Sequence, residues 1–414
     1  MSKILMRVSL ALFALADLCG ASEAAEKNYK FDGFISREVL ENYLDRAVTY
    51  AEVLTEPKGT LDKYGDREAD LKTINKIGAK FIGRAIYRWG SESSFNDENF
   101  LNYAKRLIER LHESDPDIVV QAAVFEIVTT EVDGIKIPSW AFEALGLEPE
   151  DRNFSYKKML FKDGQFVDHW GKGRSVPDIT SPETQLWFMY AVGAYVNIGV
   201  EAIHLGQVKL MGANDKNWQC WDALMKKVRS YCAKHARRHF VIFDAHVPDG
   251  GMVRDGESIL DFNSFPLRIK AVEGKPMEGI LEVGYVDSLF KRSLPCKTPS
   301  GWTCESLPYL VEFDNFGVSD HAGKYMKDSF YVWGYDDITW FYLLGLEKRK
   351  EFLRYAFNWL SKTDKNGHLQ MPCQRIVVRG GGAPVIIANA REASEKFPWG
   401  LGVVDTIKEL WSAK

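Results

Sequence analysis

Short β-rich stretches alternate with longer amphipathic ones along most of this chain, and that alternation leaves few folds open to it. Strands are predicted at 80–89, 117–128, 201–211, 239–247, 266–272, 279–286, 308–314 and 368–372, from β-branched and aromatic runs bounded by turn residues. Helix patterns lie between several of them. Phe100, Leu101, Ala104, Leu107, Ile108 and Leu111 form one stripe over 96–113. Ser181-Pro182 opens a second helix over 181–197, and others are predicted over 217–236 and 337–360. Alternation of this kind builds a parallel sheet, and eight strands close it into an α/β fold, the (β/α)8 TIM barrel. The helices after strands 5 and 6 are irregular or missing, and 129–181 forms an elaborated loop after the second strand. An open doubly wound sheet would carry a glycine-rich phosphate turn near its start. Gly380-Gly381-Gly382 stands near the other end, outside any strand–turn–helix context.

Lys3 and Arg7 precede the apolar run from Val8 to Ala16, and Ser22-Glu23-Ala24 offers small residues for cleavage. This layout predicts a signal peptide over 1–25 and a secreted or periplasmic protein. The run is shorter than the ~20 apolar residues a membrane-crossing helix needs, and no integral membrane segment is expected after cleavage. Residues 26–75 are expected as an N-terminal helical segment packing on a barrel over 76–414. Behind Ser36, the residues Val39, Leu40, Tyr43, Leu44 and Ala47 recur at helix spacing. With 53 Lys+Arg against 57 Asp+Glu the net charge is −4, which supplies no basic face for nucleic acid.

The cysteines do not form a scaffold. Cys296 and Cys304 flank a Pro/Ser/Gly loop and could close a disulfide in an oxidising compartment. Cys220 and Cys232 lie too far apart along one predicted helix to bridge each other, and Cys373 stands alone. No CxxC or zinc-type spacing occurs, so no metal and no cofactor is expected.

Strand alternation places charge inside the barrel. Val241, Phe243, Ala245 and Val247 face the helices, which turns Asp244 and His246 inward. By the same rule Leu310, Glu312 and Asp314 face in opposite Val311 and Phe313. Glu282 faces in between Leu281 and Val283, and Arg268 and Lys270 face in beside Leu267 and Ile269. Arg84 and Glu126 follow suit, and the third predicted strand adds His204 or Gln207. Barrel interiors are normally packed with branched apolar side chains, and buried charges are costly unless they pair or act. Two readings of this set are open. The cations can neutralise Glu282 and Glu312 in a structural network, or the carboxylates can act at the strand ends where barrel enzymes build their sites. Aromatic residues make up 13% of the chain. Trp187, Trp218, Trp221 and Trp359 fall within helix patterns. Trp89, Trp170, Trp333 and Trp340 fall at strand ends or in loops, where they can serve as core or as sugar platforms.

An exported barrel with inward carboxylates and loop tryptophans resembles the TIM-barrel glycoside hydrolases, over about residues 75–375. In the large retaining group of those barrels an acid/base ends the fourth strand and a nucleophile ends the seventh. The resemblance implies Glu312, in Tyr309-Leu310-Val311-Glu312-Phe313-Asp314-Asn315, as nucleophile. Asp244 takes the fourth-strand place, with Phe243-Asp244 where the family has Asn-Glu, and Glu282 is the other candidate acid. Glu126, Arg84, His246, Arg268, Lys270 and Asp314 would then hold sugar hydroxyls, with Trp89 and Trp333 as stacking platforms. The implied partner is a carbohydrate, a polysaccharide or glycan. Three other functions fit the same residues: a non-catalytic carbohydrate-binding barrel, a lyase or aldolase with Lys270 as Schiff base, and a metal-dependent hydrolase using Asp244, His246, Glu282 and Glu312.

Overall fold

The computed structural model describes residues 27–57, 66–286, 293–395 and 397–413. The expected signal peptide lies outside them. Eight strands run parallel in a closed ring: β1 (Ala47–Tyr50), β2 (Phe81–Ile86), β3 (Val119–Ala123), β4 (Ala202–Gln207), β5 (Ile242–His246), β6 (Asn263–Pro266), β7 (Tyr309–Glu312) and β8 (Gly367–Val377). The pairing of β1 with β8 completes the barrel, and β9 (Ile386–Asn389) adds antiparallel to the far end of β8. This is the (β/α)8 fold that the alternation predicts.

The strand count comes out right although two of the predicted strands are wrong. β1 lies inside the segment expected to be helical, so the barrel begins at Ala47 and not near residue 76. The predicted strand at 279–286 is no barrel strand. Gly279–Ile280 pairs with Lys270–Ala271 in a side hairpin. The predicted strand at 266–272 is displaced to Asn263–Pro266. Asp244 therefore lies in the fifth strand, not the fourth, while Glu312 ends the seventh as expected.

The helices form where the apolar periodicity places them. α1 (Arg37–Leu44) starts at Ser36, whose side chain accepts the Val39 amide. α2 (Arg67–Ile77) ends at Gly78, left-handed with φ 70°. α3 (Glu98–Ser114) buries Phe100, Ala104, Leu107, Ile108 and Leu111, the predicted stripe apart from the half-buried Leu101. α4 (Pro182–Val196) and α5 (Gln219–His235) pack against each other. The predicted helix at 337–360 breaks at Leu344-Gly345 into α6 (Asp337–Leu343) and α7 (Leu346–Thr363), and α8 (Val404–Ser412) closes the chain. Among the described residues, short strand pairs replace helices after β5 and β6.

The barrel interior is divided along its axis. At the N-terminal end of the strands Ala47, Phe81, Val119, Ala202, Ile242 and Leu310 point inward, and Phe31, Ile35, Val39, Leu40, Tyr43 and Leu44 plug that end from below. Above this apolar layer the inward positions turn polar: Thr49, Gln121, His204, Asp244, Ser264 and Glu312, all buried. That polar storey carries the candidate site.

Candidate active site

A cavity of about 890 Å³ opens over the C-terminal ends of the strands, within the size range of small-molecule sites. Two arginines reach its floor through irregularities in the sheet. The register of β2 shifts between Ile82 and Ile86, where Arg84 takes φ 55°. In β8, Thr49 and Tyr50 of β1 stand opposite Pro372 and Gln374, so one residue is bulged out. Each bulge changes the in/out alternation of its strand and brings Arg84 and Arg375 to the inner face.

Glu312 joins these arginines. Arg84 Nη2 donates to its Oε1, and Arg375 Nη2 donates to Oε2 at 2.9 Å. Thr49 Oγ1 adds a contact at 3.3 Å, and His246 Nε2 lies 3.4 Å from Oε1. Burial alone would raise the Glu312 pKa. The charges of Arg375 and Arg84 outweigh it and hold the carboxyl well below its ordinary range. Only 2% of Glu312 is exposed, and it lies beneath the cavity and not on its wall.

Asp244 is the second buried acid. Gln121 Nε2 donates to Oδ1 at 2.7 Å, Ser264 Oγ donates to Oδ2, and His204 Nδ1 lies 2.7 Å from Oδ2. Burial pushes its pKa up to about 7 against the opposing hydrogen bond from Ser264. Burial also keeps His204 neutral, its pKa far below the usual value. With Nδ1–H facing Asp244, the His204 Nε2 is left as an acceptor. That atom has no hydrogen-bond partner among the described residues. His246 Nε2 lies between a donor and an acceptor, 3.1 Å from Arg84 Nη2 and 3.4 Å from Glu312 Oε1. The two rings meet edge-on at 5.0 Å, and both line the cavity.

The carboxylates on the cavity wall are Glu52, Glu126 and Asp314. Glu52 is tied to Arg88. Asp314 accepts from Arg375 Nη2 at 3.0 Å and from the Asn315 amide at 2.8 Å. Glu126 differs from both. Its Oε2 accepts the Gln207 amide at 2.9 Å, and no cation pairs with it among the described residues. Gly206 makes room for it. At φ +65° a Cβ there would run into Glu126 Oε2 and lie 3.0 Å from the Glu126 amide. Gly206→Ala should displace this carboxylate, and a crystal structure of the folded variant checks the shift.

Aromatic side chains wall the cavity. Trp89, 38% exposed, meets Trp170 edge-on at 5.5 Å, and the Arg174 guanidinium lies 5.1 Å from its ring. Trp170 comes from the 129–181 insertion, which folds against the barrel through the pairing of Val128–Thr129 with Arg174–Ser175. On the opposite side Phe316 faces Arg268, whose guanidinium is also covered by Phe330, at 4.4 and 5.1 Å. Asp336 and Asp337 pin the loops there. Asp336 Oδ2 accepts the Phe316 and Gly317 amides, and Asp337 accepts the Arg268 and Ile269 amides.

Of the predicted site residues, Arg84, Glu126, His246, Asp314 and Trp89 line the cavity, and Asp244 and Glu312 support its floor. Arg268 stands beside it, 4.0 Å from Asp314. Glu282, Lys270 and Trp333 are elsewhere. Lys270 and Glu282 pair with each other at 2.6 Å on the side hairpin, because the strand expected to carry Glu282 inward is not in the barrel. The Lys270 pKa is raised by its hydrogen bond to Glu282, the reverse of what a Schiff-base lysine needs. Trp333 is buried and donates to the Glu278 carbonyl at 2.7 Å. Among the described residues no three His, Cys, Asp or Glu side chains are grouped to hold a metal, and the set proposed for a metal hydrolase is split by the position of Glu282. Arg375, Arg88 and Glu52 belong to the site and were not foreseen.

Burial raises three of these acids, Asp244 and Asp336 to about 7 and Asp337 to about 6, from 3.8. Their protonated forms are favoured in the folded chain, which therefore holds more protons than the unfolded one. Their stabilisation is complete at low pH and is lost as pH rises through 6–7. Glu312, whose pKa is lowered, works the other way, and only below 4.5. Calorimetry should show Tm falling from about pH 4 to about pH 7, with a slope of about 1.4 kcal/mol per pH unit for each acid in its window. Asp336→Asn should flatten that slope.

No protein-family model matches the chain, and no curated protein matches it. Solved structures with a similar chain path include the debranching enzyme of Nostoc punctiforme, at 12% identity over 90% of this chain and 80% of that one, TM-score 0.43. A GH27 β-L-arabinopyranosidase of Geobacillus stearothermophilus is similar at 9% identity over 84% and 67%, TM-score 0.34. The trehalulose synthase of Pseudomonas mesoacidophila MX-45 is similar at 11% over 49% and 45%, TM-score 0.29. At these identities and scores the likeness assigns no function.

Proposed function

We propose that this barrel is a glycoside hydrolase that cleaves a bond of a polysaccharide or glycan in the cavity above the strands. The carrying observation is the contrast between two wall carboxylates, Glu126 without a cationic partner among the described residues and Asp314 held by Arg375. Glycosidic cleavage needs one carboxyl that delivers a proton to the leaving oxygen and one kept ionised to attack or to activate water. Glu126 suits the first role and Asp314 the second. Glu312, expected as nucleophile, has both oxygens engaged behind Arg84, Arg375 and His246. In this reading it anchors the cations that hold Asp314. His246 on the cavity wall offers a ring nitrogen to sugar hydroxyls, and Trp89 offers a ring face.

Export is part of the proposal and rests on Lys3, Arg7 and the apolar run that follows. N-terminal sequencing of protein recovered outside the cytoplasm tests it, and an uncleaved Met1 would reject it. The activity is tested by a reducing-end and aryl-glycoside screen of the protein. Release of sugar from at least one substrate is expected. Saccharide binding without release would favour a binding barrel.

A further inference from the structure

The plug at the barrel's N-terminal end is fastened by a small hairpin that the proposed chemistry does not use. Cys296–Lys297 and Thr303–Cys304 pair antiparallel, with Cys296 opposite Cys304. The turn between them is closed by Thr298, whose amide and hydroxyl donate to the Trp302 carbonyl at 2.8 and 3.1 Å. This turn grips Ile35, the residue just before the cap of α1. The Ile35 amide donates to Ser300 Oγ at 3.0 Å, and Trp302 Nε1 donates to the Ile35 carbonyl at 3.1 Å. Trp302 also packs against the apolar plug, with the Arg37 guanidinium 5.9 Å from its ring. Both backbone groups of Ile35 are thus held by one turn.

The two sulfurs lie 3.9 Å apart and both are thiols. Directly opposed residues of an antiparallel pair have Cα atoms about 4.5–5.5 Å apart, inside the ~4.4–6.8 Å that a disulfide spans. A bond can therefore close here without moving the backbone. Cys304 is half-buried and Cys296 buried, so an oxidant meets Cys304 first. A hydrogen bond from the Cys296 thiol lowers the Cys304 pKa, burial opposes this, and the charge of Arg37 lowers it further. Cys304 is the better nucleophile of the two.

We propose that Cys296 and Cys304 form a disulfide that locks the 298–302 turn over Ile35 and so holds the plug in the barrel. The oxidant is a small disulfide such as oxidised glutathione. The Cys304 thiolate attacks it, forms a mixed disulfide and releases one glutathione thiolate. Cys296 then loses its proton to solvent, attacks the Cys304 sulfur and releases the second. Two protein thiols are oxidised and one glutathione disulfide becomes two thiols.

The test equilibrates the folded chain with oxidised glutathione and digests it with trypsin under non-reducing conditions. Cleavage after Lys297 puts the two cysteines on separate peptides, which stay joined only through the bond. Hydrogen exchange is then compared between the oxidised chain and Cys304→Ser. The proposal expects the joined peptide and slower exchange of the Ile35–Leu44 amides in the oxidised chain. Separate peptides, each with a free or glutathionylated cysteine, would overturn it. So would a joined peptide with unchanged exchange at Ile35–Leu44, because the bond would then not fasten the plug. Neither readout depends on glycosidase activity.

Discussion

Replacing Glu126 with Gln is expected to lower kcat by about 10²–10⁴-fold on saccharides whose leaving group is an ordinary alcohol. The amide keeps the shape and the contact with the Gln207 amide, but it cannot deliver a proton. The loss should depend on the leaving group. A nitrophenolate leaves without protonation, so aryl glycosides of that type should retain most of the wild-type kcat/KM, which ends at loss of the leaving group. Equal losses on both substrate types would remove Glu126 from the acid role and leave it as a binding residue. The proposal places Asp314 opposite, and Asp314→Asn should be slow on every substrate, because attack or water activation does not depend on how well the leaving group departs.

Replacing Glu312 with Ala should cost about 3–5 kcal/mol of stability, the effect of removing one partner from a buried charge cluster. Arg84 and Arg375 are buried and share this carboxylate, with His246 beside it. Without it two guanidinium charges remain in the barrel with Asp314 as the nearby anion on Arg375. Chemical denaturation checks the magnitude through the midpoint at unchanged slope. A loss under about 1 kcal/mol would mean that water already compensates these charges, and the floor would be wetter than its burial implies.

Half of the polar storey was readable from alternation: Asp244, Glu312 and, as one of two choices, His204, but not Thr49, Gln121 or Ser264. In β5 and β7 the residues Ile242, Asp244 and His246, and Leu310 and Glu312, face inward as predicted, because both strands are regular and each opposite face is apolar. The misreadings have physical causes. β1 is only Ala47–Tyr50, buried throughout and attached to a strong helix signal, so no alternation marks it. The run at 279–286 has the right periodicity, but Val283 is exposed and the segment pairs only locally. Missing β1 moved Asp244 to the wrong strand number, and the false strand at 279–286 put Glu282 into the barrel. Arg375 escaped notice because the predicted strand at 368–372 stops short of it, and the bulge opposite Thr49 and Tyr50 that turns it inward leaves no mark in composition. That no cation pairs with Glu126 among the described residues is a property of the assembled mouth, where Gly206, Gln207 and Trp170 arrive from distant segments.

The central claim is that a glycosidic bond is cleaved in this cavity by Glu126 and Asp314. Its most direct test is sugar release from a polysaccharide and glycoside panel by the wild-type chain and by the double variant Glu126→Gln/Asp314→Asn, both shown to be folded by circular dichroism. The account predicts turnover by the wild type and none above background by the variant. Equal turnover by the two would place the chemistry outside this pair of carboxylates and contradict the account.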